Sequence, residues 1–213
     1  KAATNGPVIS HLFFADDLIL FAKATESNCQ EISDTLDTFC KASGQKVSLH
    51  KFKVFVSENF PRHKAQELSS LINIPLTLDL GRYLGIPMFH KRVSRNHFSY
   101  VRDRISNKLA GWKGNLLSMA GRLTLVKAVT AAIPNYTMQT NFLPRSICND
   151  IDKLNRNFLW GDNDHQKKVH LINWDTVCSS KESGGLGIRK AADANLALLS
   201  KLGWNLMKQK DKL

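Results

Sequence analysis

Apolar residues crowd the start of this chain in strand-like runs and later recur at helical spacing. From Leu12 to Ala22 every position is apolar except Asp16 and Asp17. Two short runs rich in Phe, Leu and Ile suit the strands of a buried β-hairpin, with both acids at its turn. Cys29, Ile32, Leu36 and Phe39 then recur as on one helix face. Thr25 or Ser27 stands where an N-cap belongs, and Gly44 where a helix ends. Residues 46–49 and 53–56 read as two further short strands. Residues 61–71 predict a short helix closed by Ile74-Pro75, and residues 83–88 a short strand or tight turn around Gly85.

From Ser94 onward the pattern is helical. Phe98, Val101, Ile105 and Leu109 form one stripe, and Leu116, Ala120, Leu123 and Val126 a second that Pro134 stops. Ile147, Ile151, Leu154 and Phe158 form a third just after Pro144, and a last helix is predicted from about residue 190 to 207. The fold class expected is α+β, with the strand-bearing part giving way to the helical part near residues 92–95. No repeat or low-complexity tract interrupts it.

Composition sharpens the picture. A length of 213 residues and a hydrophobic fraction of 43% fit one large or two small globular domains and exclude wholesale disorder. No apolar run is long enough to span a membrane. Cys29, Cys40, Cys148 and Cys178 are scattered without a Cys-x-x-Cys pair, so reduced thiols in an intracellular protein are expected, not a zinc site or a disulfide framework. His165 and His170 have no cysteine pair beside them, which argues against a metal there. The abrupt start before the Asp-Asp run and the ending Lys208 to Leu213 read as a fragment of something longer.

The net charge of +12 favours an acidic partner. Ten basic residues lie between Arg82 and Lys127, against one acid, Asp103. A solvated helix face usually mixes signs, so this stretch reads as a phosphate-contacting surface.

The chemistry concentrates at Asp16 and Asp17. Carboxylates in so apolar a stretch need a partner or a metal, and hard oxygen ligands suit Mg²⁺. A solvated turn is the plainer alternative. The segment His11-Leu12-Phe13-Phe14-Ala15-Asp16-Asp17-Leu18-Ile19-Leu20-Phe21 resembles the aromatic-x-Asp-Asp active-site motif of reverse transcriptases, in the version carried by non-LTR (LINE-type) retrotransposons of plants. Further stretches resemble that family in order. Ser43-Gly44-Gln45-Lys46-Val47-Ser48-Leu49-His50-Lys51 is similar to its next palm motif, although Phe52 stands where a small hydroxyl residue is usual. Tyr83-Leu84-Gly85-Ile86-Pro87 is similar to its primer-grip turn. Trp112-Lys113, the run from Leu116 to Arg122, and Phe158-Leu159-Trp160-Gly161 resemble its thumb-like region, and Gly184-Gly185-Leu186-Gly187-Ile188 continues the match.

The resemblance implies a partial polymerase palm (β-hairpin, helix, short strands) over residues 1–92. It implies a helical thumb-like region over 93–162, and a linker with a C-terminal helix over 163–213. It implies two-metal nucleotidyl transfer, with Asp16 the safer and Asp17 the weaker ligand of Mg²⁺ or Mn²⁺. No Asp or Glu precedes Asp16, so the second carboxylate wall is absent and the chain alone is expected to be inactive. Lys51, or alternatively Lys46, would meet the leaving pyrophosphate or the incoming nucleotide. Tyr83, Leu84 and Gly85 would position a primer end, with core packing the other role open to Leu84. Arg102, Lys108, Lys113, Arg122 and Lys127 are candidates to hold template and primer. Trp112 and Trp160 suit base stacking or a helical core. The Gly184–Gly187 run lacks the Gly-Lys-Ser/Thr ending of a phosphate loop and reads as a turn. The expected partners are an RNA template, a DNA primer and deoxynucleoside triphosphates, in the nucleus. The competing expectation is an inactive nucleic-acid-binding remnant.

Overall fold

The computed structural model describes residues 9–89, 93–110, 116–162 and 167–208. It is a mixed α and β structure, mainly helical with two small antiparallel hairpins. It divides into two compact units, Lys1–Arg92 and Val93–Leu213.

In the first unit β1 (His11–Phe14) pairs antiparallel with β2 (Asp17–Leu20), Phe14 facing Asp17. Ala15 and Asp16 form the two-residue connection, with Ala15 at φ 51. Left-handed backbone in such a connection matches the twist of the strands it joins. Helix α1 (Glu26–Ser43) settles the choice of N-cap: the Thr25 hydroxyl accepts the Asn28 N–H at 3.3 Å. It closes at Gly44, whose φ of 69 lets its N–H reach the Cys40 carbonyl. α1 packs on α2 (Arg62–Leu71), which buries Ala65 and Leu68, with Ile74 buried beyond it.

The strands expected over 46–49 and 53–56 do not form among the described residues. Leu49–Lys51 is a single 3₁₀ turn, and Val54 makes one isolated parallel bridge to Leu76. Val54 donates to the Pro75 carbonyl and accepts from Thr77, but Pro75 has no N–H with which to continue a ladder. Farther on, β3 (Arg82–Tyr83) and β4 (Ile86–Pro87) pair across Leu84-Gly85, at φ 50 and 80. Two consecutive positive φ values are the signature of the mirror-image hairpin turn, which explains the glycine.

The second unit holds most of the core. A 3₁₀ turn at Arg95–Phe98 leads into α3 (Ser99–Ala110), and Phe98, Val101 and Ile105 are wholly buried. Helix α4 (Met119–Leu125) is capped by the Ser118 hydroxyl on the Gly121 N–H. The sequence stripe suggests one regular helix to Pro134, yet Val126–Thr130 is a π turn. The Val126 carbonyl accepts the Ala131 N–H at 3.0 Å and also the Thr130 hydroxyl at 2.9 Å. A threonine side chain competing for a carbonyl one turn back is a local cause of such loosening.

Helix α5 (Asn135–Met138) follows Pro134, and α6 (Arg145–Trp160) follows Pro144 and ends on Gly161 at φ 77. α6 buries Ile147, Cys148, Ile151, Phe158 and Leu159, and α3 packs along it. The five-residue α7 (Trp174–Cys178) is too short for periodicity to reveal. It starts on Asn173, whose side chain accepts the Asp175 N–H. Helix α8 (Ala191–Lys208) lies against α5 and α6. Val126, Phe158, Leu159, Trp174, Val177 and Ile188 form one buried cluster. No helix among the described residues is long and apolar enough to cross a membrane.

Candidate nucleic-acid interface

Asp16 lies in the β1–β2 connection and Asp17 opens β2, so both carboxylates sit at one hairpin tip. Both are exposed, and neither has an ion pair among the described residues. The apolar flanks predict a buried hairpin, but Phe13 and Phe14 are 68% and 60% exposed, and Leu12, Leu20 and Phe21 are also open. Two adjacent, unneutralised carboxylates fit one side of a Mg²⁺ or Mn²⁺ shell, the rest being supplied by water and phosphate. Among the described residues no group of three or more His, Cys, Asp or Glu could hold a metal.

In the same unit Lys51 ends the 3₁₀ turn and is exposed, as is Lys46. Tyr83 and Leu84 are half-buried in the second hairpin, and Gly85 is exposed at its turn. Leu84 is thus half-buried in a turn conformation.

In the second unit the basic residues are not equivalent. Arg102 donates through Nε and Nη2 to Asp103, at 2.9 and 2.6 Å, and this bond holds its guanidinium more firmly protonated. Arg95 pairs with Asp150 and Lys190 with Asp175, each at 2.6 Å. Arg122 donates to the Leu159 carbonyl and lies against Gly161, where a Cβ would strike its guanidinium. A cation at the C-terminal end of α6 satisfies orphan carbonyls and the helix dipole. Arg122 is therefore partly committed to structure. Lys108 is exposed in the last turn of α3, and Lys113 and Trp112 lie outside the described residues.

Lys127 takes a different path. It sits on the π turn, and its Nζ lies 3.6 Å from where a Cβ on Gly187 would be, with Lys181 Cγ 3.7 Å from the same point. Sequence spacing does not suggest Lys181, because its place depends on the fold of the glycine turn. That turn is not a phosphate loop. The N–H groups of Gly184, Gly185, Leu186 and Gly187 donate to the carbonyls of Lys181, Ser180, Val177 and Ser179. Gly185 packs so closely on the Ser179 backbone that a Cβ there would collide with its carbonyl.

Trp160 is half-buried and stacks on His170 at a centroid distance of 5.9 Å, with the His170 ring 3.1 Å from Asp162. Trp174 is buried in the core, and His165 lies outside the described residues. Burial pushes the Cys148 and Cys178 thiols up to about 11, so neither is a nucleophile near neutral pH.

The chain is 46% identical over 128 residues to an Arabidopsis thaliana protein provisionally named a ribonuclease H protein, a match covering 60% of this chain and 21% of that protein. It is 32% identical over 79 residues to an uncharacterized mitochondrial protein of the same plant, covering 37% of this chain and 51% of that one. The chain thus spans about a fifth and about half the length of these two curated relatives. No protein-family model matches it.

These likenesses overturn the resemblance to a LINE-type reverse transcriptase. The 128-residue match carries a ribonuclease H name, and neither relative's name carries a polymerase. The reason for the misreading is physical. Asp-Asp at a hairpin connection and Leu-Gly at a positive-φ turn are what such turns favour in any fold, so short motifs built on them do not name a family.

Proposed function

We propose that this chain is part of a retroelement-type protein that binds and processes nucleic acid, RNA and DNA being its partners. Asp16 and Asp17 would hold a divalent cation, Mg²⁺ or Mn²⁺, against the phosphate backbone. The observation that carries the reading is local. Two exposed carboxylates without an ion pair among the described residues occupy one hairpin tip of a chain whose net charge is +12. Without a cation that tip repels the phosphates that the rest of the chain attracts. A bound cation would polarise a phosphoryl oxygen and lower the pKa of a coordinated water or hydroxyl. Among the described residues Lys108 and Lys127 are the sequence candidates left to meet phosphate, because Arg102 and Arg122 already have protein partners. The likeness to a protein with a ribonuclease H name supports the nucleic-acid part of the reading.

The test is the affinity of the chain for a labelled RNA–DNA hybrid, with and without Mg²⁺ at constant ionic strength. Mg²⁺ should tighten binding by the native chain and not by Asp16→Asn/Asp17→Asn, which should bind more tightly than the native chain without metal. An equal response to Mg²⁺ in both would overturn the metal assignment. In the whole protein, cleavage of the hybrid and extension of its DNA 3′ end are the two activities to separate.

Binding without chemistry is the second reading. It is favoured by the missing third ligand among the described residues. A whole protein that binds the hybrid but neither cleaves nor extends it establishes that reading.

A further inference from the structure

We propose that Lys127 and Lys181 form a clamp for one backbone phosphate of the bound nucleic acid, assembled across Gly187. This assignment rests on the nucleic-acid reading above and names one contact within it.

Several cations of this unit are already engaged. Arg95, Arg102 and Lys190 pair with carboxylates, and Arg122 caps a helix end. Lys127 and Lys181 have no ion pair among the described residues, although Glu182 is adjacent in sequence to Lys181. The fold nevertheless brings them to one point: Lys127 Nζ and Lys181 Cγ both lie within 4 Å of the missing Cβ of Gly187. The Lys127 ammonium is thus set beside the Lys181 stem, whose three remaining rotatable bonds let its own ammonium swing toward the same phosphate.

Each side of the clamp is built by a local departure from regular structure. Lys127 projects from the π turn Val126–Thr130, and such turns re-aim side chains and recur at functional sites. Lys181 opens the 3₁₀ turn Lys181–Ser183, held by the Ser180 hydroxyl on the Ser183 N–H. Between them Gly187 sits at φ 63 and carries no side chain to block an incoming group. The N–H groups of the turn are spent on internal carbonyls, so the lysines alone supply the donors. Lysine suits this role, because three rotatable donors on a flexible stem follow a phosphate without fixed geometry.

The experiment measures binding of the 213-residue chain to a fluorescein-labelled RNA–DNA hybrid by anisotropy, over a series of KCl concentrations. The variants are Lys127→Gln/Lys181→Gln and a control of equal charge, Lys153→Gln/Lys201→Gln, at two exposed lysines on α6 and α8. Removing one phosphate contact should lower the slope of log affinity against log salt by about 0.9 and weaken binding several-fold. The control pair should change both by less, and Lys127→Arg/Lys181→Arg should restore the native slope. If the double Gln variant loses no more than the control, the clamp is wrong while the nucleic-acid reading stands. If the native chain fails to bind the hybrid, both fall together. Thermal melting accompanies every variant. Should Lys127→Gln unfold the chain, exposed Lys181→Gln alone carries the decision, since a clamp missing one cation must still lose slope.

Discussion

Asn195 stands in an otherwise apolar stretch of α8, only 2% exposed, and uses its whole amide. Its Oδ1 accepts the Leu143 N–H at 2.8 Å, and its Nδ2 donates to the Met138 and Asn141 carbonyls at 2.9 and 2.8 Å. One side chain thus ties α8 to the chain between α5 and α6. Asn195→Ala leaves the Leu143 N–H and the Met138 carbonyl buried without this partner, each costing about 1–3 kcal/mol, while the part-buried Asn141 carbonyl can turn to water, so a loss of roughly 2–6 kcal/mol is expected in urea denaturation. Nothing in the sequence distinguishes Asn195 from a solvent-facing polar residue, because its value lies in three partners that only the fold brings near. Asp16 and Asp17 are the opposite case. Their apolar flanks make them visible at once, and the hairpin places them at its tip. The same flanks mislead on burial, because hydrophobicity records a preference for cover and does not supply it.

Between elements, the first turn of α8 is capped from outside. The Ala191 N–H donates to Asp152 Oδ1 on α6 at 3.0 Å. Burial pushes the Asp152 carboxyl above its ordinary value of 3.8, and the Ala191 hydrogen bond and Lys190 only partly offset it. A raised folded pKa means that the native state holds this proton more tightly than the unfolded chain does. Its contribution is therefore present in full below about pH 3.8 and declines as pH rises through the folded value. The stability of the native chain relative to Asp152→Asn should fall over that window, as read from urea midpoints at successive pH values. The thiols give a second prediction of the same kind. Iodoacetamide at pH 8 should label Cys40 on α1 well before Cys148 and Cys178, whose thiols burial holds near 11; equal rates would contradict the packing of α6 and α7. The long helices were legible because period and caps agree over many residues. The π turn and α7 were not, since one threonine hydroxyl decides the first and five residues carry no period.

At the scale of the molecule, the two units differ in how much they bury. The first contributes Ala65, Leu68 and Ile74 to the buried apolar residues, and the second all the others among the described residues. Amide exchange should follow this division. The slowest N–H groups should be those of α3 and α6, with the hairpin β1–β2 and α1 exchanging much sooner; protection of β1–β2 equal to that of α6 would contradict it. The division into a strand-bearing part and a helical part was visible as a change of period near residues 92–95. The charge excess was visible too, but not its use, because counting cations ignores which are already paired. Family membership was the least legible property, since the motifs that suggested it also serve ordinary turns.

The π turn at Val126–Thr130 also bears on how the chain can change length. It inserts one residue into an otherwise regular helix, where a single-residue deletion usually breaks register everywhere downstream. Here losing one residue would restore the common helical repeat instead of disrupting it, swinging Lys127 relative to Met119–Leu125 or Asn135–Met138 by about a quarter turn. Among related chains, length variation should therefore be tolerated by the helix at this point, and each gain or loss of the extra residue should travel with the identity of the residue at position 127.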